Sequence, residues 1–246
     1  MYNPFSLEGK TILVTGASSG IGKGVAIDLS KMGVKVIITA RNEERLNRTL
    51  ESMEGDGHVQ LIADLCKADE VDNLINQMPT LDGAVFCAGI VKTLPVRNIK
   101  DDALAEIFDA NIFSDIRLSS RLLKKKKLNL GASIVMISSV STFNVKVGNS
   151  LYSATKGAMN SFAKAMALEV ANQKIRVNCI QPGFVPTSIL ENHGMSEDAL
   201  QWYAKRHPLG FGTPTDIANA CIYLLSDAAR WVTGSIFTID GGYTLQ

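Results

Sequence analysis

Lys10-Thr-Ile-Leu-Val-Thr15-Gly16-Ala17-Ser18-Ser19-Gly20-Ile21-Gly22 is the stretch from which the fold follows. Its first six residues form a short, β-branched apolar run with the character of a buried parallel strand. Beyond Gly22, Val25, Ala26, Leu29 and Met32 recur at helical spacing. Strand, glycine-rich turn, helix is the layout that receives a dinucleotide pyrophosphate. The glycines let backbone N–H groups approach the phosphates, and the helix N-terminus offers a partial positive charge. The spacing is G-x-x-x-G-x-G rather than the commoner G-x-G-x-x-G. A glycine cluster alone is often only a tight turn; its place between a strand and a helix makes it a candidate phosphate loop. Gly16, Ser18, Ser19, Gly20, Ile21 and Gly22 are therefore candidate cofactor-binding residues.

The alternation continues downstream. Gly33 closes the first helix, and Val34–Ala40 reads as a second strand. An acidic residue at its end would bond the adenosine ribose and repel a 2′-phosphate. The chain instead has Ala40 followed by Arg41. A guanidinium there suits a bidentate phosphate contact, although a solvated loop arginine is the plainer alternative. The expectation is NADP(H) rather than NAD(H). His58–Ala63 is a third strand ending at Asp64-Leu65. Asp64 is placed either to meet the adenine edge or to cap the helix that follows. Asp82–Cys87 is a fourth strand leading to Ala88-Gly89, small residues past which a ribose or nicotinamide can lie close.

Asp101 to about Lys127 carries helical periodicity through Leu104, Ile107, Phe108, Ile112, Leu118 and Leu122. Asn111 interrupts the apolar pattern, where an asparagine is mildly unfavourable. A kink with side-chain-to-backbone bonding or a role in a site would explain it. Lys124–Lys127 is expected to complement the helix dipole. Ala132–Ile137 is a fifth strand ending in Ser138-Ser139, and a serine at a strand end can donate to a substrate carbonyl oxygen. After a loop at Phe143–Asn149 comes a helix with Tyr152 and Lys156 four residues apart, which puts both on one face. A free tyrosine keeps its proton to a pKa of about 10. Bringing any tyrosine to about 7 takes roughly 4 kcal/mol. One ammonium does not supply all of that, so a second positive charge is needed, and an oxidised nicotinamide ring is one. Ile175–Ile180 is a sixth strand closed by Gln181-Pro182-Gly183. Thr187 to about Pro208 is weakly patterned and contains Trp202 and Tyr203; a lid is one way for it to fold. Thr213-Pro214 starts a helix. Ser235–Ile239 is a final strand before Asp240-Gly241-Gly242. No repeat or linker interrupts the series, so residues 1–246 are expected to form one α/β domain.

Composition excludes several classes. With 246 residues, 46% of them hydrophobic, the chain can build a substantial core. A formal net charge of +1 argues against a general nucleic-acid binder. Cys66, Cys87, Cys179 and Cys221 form no C-x-x-C pair, and His58, His193 and His207 show no ligand spacing, so neither disulfides nor a metal site is expected. No signal-like or membrane-spanning run is present, which implies a soluble cytoplasmic protein.

Thr15-Gly-x-x-x-Gly-Ile-Gly22, Ala88-Gly89, Asn111, Ser139, Tyr152-x-x-x-Lys156, Pro182-Gly183 and Asp240-Gly-Gly242 occur in an order that resembles the short-chain dehydrogenase/reductase family, in its single-domain branch. The resemblance covers essentially the whole chain. It implies a Rossmann-type, doubly wound parallel sheet of seven strands with helices on both faces, in a homotetramer. It assigns Tyr152 as general acid/base, Ser139 as holder of the substrate oxygen, and Lys156 as the residue that favours the tyrosine's ionised form and binds the nicotinamide ribose. Asn111 would help hold a water linking the lysine to solvent. Pro182, Gly183, Val185 and Thr187 join Gly16, Ser18, Ser19, Gly20, Ile21, Gly22, Arg41, Asp64, Leu65, Ala88, Gly89, Tyr152 and Lys156 as the implied cofactor-binding set.

One departure is Phe86-Cys87 where the family usually has two asparagines. Those asparagines bond neighbouring strand ends, so packing is expected to hold the turn here. The chain is similar overall to 3-oxoacyl-acyl-carrier-protein reductases, which implies a 3-oxoacyl thioester substrate. The same motifs recur in sugar, polyol and steroid dehydrogenases. An acyl-carrier partner is acidic and calls for basic residues near the pocket mouth; Arg97, Lys100, Lys205 and Arg206 are the candidates. A non-catalytic NADP(H)-binding sensor or structural subunit is the alternative of another class, against which the intact Ser139, Tyr152, Lys156 and Asn111 argue.

Overall fold

The computed structural model describes residues 2–187 and 197–245. Its sheet contains β1 (Thr11–Thr15), β2 (Lys35–Ala40), β3 (Val59–Ile62), β4 (Leu81–Phe86), β5 (Leu128–Ile137), β6 (Arg176–Pro182) and β7 (Ile236–Ile239). All neighbours pair in parallel, in the order β3-β2-β1-β4-β5-β6-β7. The chain runs outward from β1 to β3 and then crosses back to β4. That reversal opens a crevice beyond the carboxyl ends of β1 and β4, the usual ligand position of open α/β sheets.

The helices are α1 (Gly20–Ser30), α2 (Glu43–Leu50), α3 (Ala68–Gln77), α4 (Asp101–Phe108), α5 (Ser114–Lys124), α6 (Ser150–Glu169), α7 (Glu197–Lys205) and α8 (Pro214–Leu225). Strand side chains alternate between faces, so the central strands feed two cores. Leu13, Ala84, Phe86, Ile134, Met136, Val177 and Cys179 pack with α3, α5 and α6. Ile12, Val14, Val36, Val85, Val135 and Ile180 pack with α1, α2 and α8. Burial on both faces explains why the central strands read as nearly continuous apolar runs. A capping box starts α8: the Thr213 hydroxyl accepts from Asp216 N, and the Asp216 carboxylate accepts from Thr213 N.

Several expectations change. The helix expected over Asp101–Lys127 is α4, a π-helical turn at Asp109–Phe113, and α5. The extra residue in that turn carries Asn111 into the interior. β5 begins at Leu128, four residues before the expected Ala132, because its first residues lie at the half-exposed sheet margin and show no apolar pattern. Of the lysine run, Lys124 ends α5 and Lys126 has φ 52°, making the tight turn into β5. The Lys127 ammonium donates to the Met78 carbonyl instead of serving the helix end. Asp64 does not cap α3; its carboxylate accepts from Cys66 N at 3.0 Å, and the residue at the cap position is Lys67. Part of the segment considered as a lid, residues 188–196, lies outside the described residues. Among the described residues no helix is long and apolar enough to cross a membrane.

Candidate active site

A cavity of ≈ 660 Å³ lies over the crossover. The turn after β1 forms its floor. Gly16 has φ +63°, and a Cβ there would come within 2.8 Å of Ala88 N, so only glycine lets the two turns meet. A Cβ on Gly22 would come within 2.4 Å of the Gly16 carbonyl oxygen, which is how α1 sits tightly on the turn. The bare backbone of this turn and the N-terminus of α1 form a cradle that suits a pyrophosphate.

All the expected cofactor-binding residues line this cavity: Gly16, Ser18, Ser19, Gly20, Ile21, Gly22, Arg41, Asp64, Leu65, Ala88, Gly89, Tyr152, Lys156, Pro182, Gly183, Val185 and Thr187. Ser139 lines it too. Asn111 does not; it is fully buried behind the wall.

Phe86 is fully buried, as packing of the β4 turn requires, but hydrogen bonds also hold that turn. The Thr15 hydroxyl accepts from Cys87 N at 3.1 Å and Ala88 N at 3.2 Å. A side chain on the neighbouring strand thus supplies the tie that was expected to be missing.

Lys156 is buried, and its ammonium donates to the Ile137 carbonyl at 2.7 Å. It lies 5.8 Å from the centroid of the Tyr152 ring. None of the described ion pairs involves it. The Ser139 hydroxyl accepts from Ser141 N at 3.1 Å and donates to the Ser141 hydroxyl at 3.1 Å. Asn111 accepts from Ile90 N at 2.7 Å and donates to the Ile90 carbonyl at 2.9 Å and the Thr155 hydroxyl at 3.1 Å. Thr155 in turn donates to the Tyr152 carbonyl at 2.8 Å. One amide therefore ties the segment after β4 to the first turns of α6.

Electrostatics sort the remaining groups. Among the described residues the charged groups on the cavity wall are Arg41, Arg45, Lys146, Lys156 and a single carboxylate, Asp64. Burial pushes the Cys87 thiol up to about 12 and the Cys66 thiol up to about 11, so neither is a ready nucleophile. Asp115, one turn beyond Asn111, is fully buried with both carboxylate oxygens unpartnered among the described residues. Burial raises its carboxyl to about 7, opposed by the charge of Lys156.

Arg45, Lys146, Tyr203 and Tyr243 also line the cavity without having been marked as site residues. Arg45 was findable: it stands four residues after Arg41, on the first turn of the helix that Asn42 caps. Lys146 falls in the loop expected at Phe143–Asn149, where nothing local shows where its ammonium goes. None of Arg97, Lys100, Lys205 and Arg206 lines the cavity.

Sheet order, crossover crevice and a wall of serine, tyrosine and lysine together define the class, a dinucleotide-linked oxidoreductase. A family profile described as "Enoyl-(Acyl carrier protein) reductase" matches residues 16–244. A 3-oxoacyl-[acyl-carrier-protein] reductase of Rickettsia felis is 36% identical over 96% of this chain and 97% of that protein. A tropinone reductase homolog of Arabidopsis thaliana is 32% identical over 98% of this chain and 95% of that protein. The structure of a short-chain type dehydrogenase/reductase from Mycobacterium ulcerans superimposes with a TM-score of 0.89 at 31% identity, covering 98% of this chain and 92% of that one. The chain belongs to the short-chain dehydrogenase/reductase family.

Proposed function

We propose that this chain is an NADP(H)-dependent reductase of a carbonyl group, working reversibly on the secondary alcohol. The observation that carries the proposal is that Ser139, Tyr152 and Lys156 face the same cavity as the Gly16–Gly22 turn. The turn and the start of α1 would hold the pyrophosphate. Arg41 and Arg45 would hold the 2′-phosphate, which supports NADP(H) over NAD(H). Asp64 and Leu65 would flank the adenine, and Ala88, Gly89, Pro182, Gly183, Val185 and Thr187 would frame the nicotinamide half. When bound, the nicotinamide supplies or accepts a hydride at its C4.

The protein's own residues handle the oxygen. Ser139 turns its hydroxyl from Ser141 to the substrate oxygen as negative charge develops there. Tyr152 gives that oxygen its proton in reduction and takes it back in oxidation. Lys156 would hold the cofactor ribose and favours the tyrosine's ionised form. Asn111 fixes the segment after β4 against α6 and would help hold a water linking Lys156 to solvent.

The relatives named as 3-oxoacyl-[acyl-carrier-protein] reductases support a 3-oxoacyl thioester as substrate, with an acyl carrier protein as its bearer. The four-residue spacing of Tyr152 and Lys156, with Ser139 beside them, supports carbonyl rather than enoyl reduction. Apolar Leu104 on α4, Phe113 on the π-helical turn and Ile116 on α5 are exposed, which supports a homotetramer. The test is an initial-rate comparison with acetoacetyl thioesters, sugars and steroids, using NADPH and NADH. Reduction of an acetoacetyl thioester, faster with NADPH, is the expected result; a clear preference for NADH would overturn the cofactor assignment.

A further inference from the structure

Lys146 sits in the Phe143–Asn149 loop, on the wall of the cavity that holds Ser139 and Tyr152. Its ammonium donates to the Tyr203 hydroxyl, lies 3.9 Å from the Tyr203 ring centroid, and lies 5.3 Å from that of Tyr243. Both tyrosines also line the cavity. None of the described ion pairs involves Lys146. Among the described residues the only carboxylate on the wall is Asp64, which follows β3 at the other side of the sheet, whereas Lys146 follows β5.

A half-buried ammonium resting on two aromatic rings keeps part of its attraction for negative charge, because rings offset lost hydration only partly. Burial, with the charge of Arg206, brings Lys146 down to about 8, so it is still mostly protonated at neutral pH. Arg41 and Arg45 belong to the β2 side, where the proposed 2′-phosphate lies, and Lys156 lies against Tyr152. Among the described residues of the wall, Lys146 is the cation left over once the cofactor has been accommodated.

We infer that Lys146 binds a carboxylate carried by the substrate, so that the site selects an acidic carbonyl compound. Tyr203 supplies a second hydrogen-bonding group beside it, and Phe184, which stacks on Tyr203 at 4.8 Å, supplies apolar wall for the carbon chain. The inference rests on the carbonyl-reductase proposal for this same cavity. It holds for a free keto acid and for a 3-oxoacyl thioester whose chain ends in a carboxylate.

The test is calorimetric titration of the NADP(H)-saturated protein with butanoate and pentanoate and with their methyl esters. The acids should bind at least about tenfold tighter than the esters, as expected for a charge-assisted bond in a partly dry site. Lys146→Met should abolish that preference and Lys146→Arg should retain it, with folding of each variant checked by thermal unfolding. Equal binding of acid and ester by the unaltered protein, or a preference that survives in Lys146→Met, would overturn the inference. Turnover separates the two sources. Keto acids reduced faster than their methyl esters point to a free acid; a carboxyl-ended 3-oxoacyl thioester reduced faster than its alkyl-ended equivalent points to an acyl chain. If the acids bind as expected and no carbonyl compound is reduced, the anion site stands and the reductase proposal falls.

Discussion

Asn111 and Ile90 exchange two hydrogen bonds, the Ile90 N–H donating to the Asn111 amide oxygen at 2.7 Å and the Asn111 amide donating to the Ile90 carbonyl at 2.9 Å. The residue is fully buried on a π-helical turn, an irregularity often found at functional sites. Asn111→Ala would leave both backbone groups of Ile90 unsatisfied. A fully buried orphan costs about 1–3 kcal/mol and these groups are partly buried, so the variant should lose a few degrees of thermal stability together with most of its turnover. Thermal unfolding and steady-state rates on one preparation check this. Loss of stability with full turnover would show that the clamp has no part in catalysis.

The two arginines beyond β2 give a cofactor test. Hydrogen bonds to charged groups are worth about 1.5–3 kcal/mol, or roughly 10–100-fold in affinity. Arg41→Ala should therefore raise the Kd for NADPH by at least about tenfold while changing NADH binding little, and Arg45→Ala should do the same. Fluorescence titration with both nucleotides is the measurement. Equal weakening toward both would place the arginines away from the 2′-phosphate.

Asp115 makes stability pH-dependent. Its carboxyl is raised by burial to about 7, with Lys156 opposing, whereas an unfolded aspartate titrates near 3.9. As pH rises between those values, the unfolded chain loses its proton first, so the folded state is progressively destabilised. Its contribution is intact below about pH 4 and lost as pH passes 7, for a total of roughly 4 kcal/mol. Asp115→Asn carries no such charge. Over pH 5 to 8 the melting temperature of the unaltered protein should fall relative to that of the variant, and parallel curves would exclude the effect.

Much of this fold could be read directly from the sequence. The Lys10–Gly22 stretch gave strand, turn and helix together, because buried parallel strands are continuously apolar and glycine marks close backbone approach. Tyr152 and Lys156 were legible because helical spacing fixes which side chains share a face. What escaped depends on partners distant in sequence. Asn111 signalled an irregularity, but the π turn shows only in the backbone, and only its contacts with Ile90 and Thr155 show that it clamps two segments. The Thr15 hydroxyl binds a turn 72 residues away, and the Lys146 ammonium is placed by Tyr203 and Tyr243 from the C-terminal part of the chain. No local pattern encodes either contact.

The central claim is that the Tyr152 hydroxyl moves the proton at the substrate oxygen. Tyr152→Phe removes that hydroxyl and little else, so NADPH affinity and the unaltered fold provide internal controls. With the best carbonyl substrate from the screen, the variant should bind NADPH near normally while kcat falls by about 10²–10⁴. A phenylalanine variant that kept most of its turnover would contradict the proton-donor assignment.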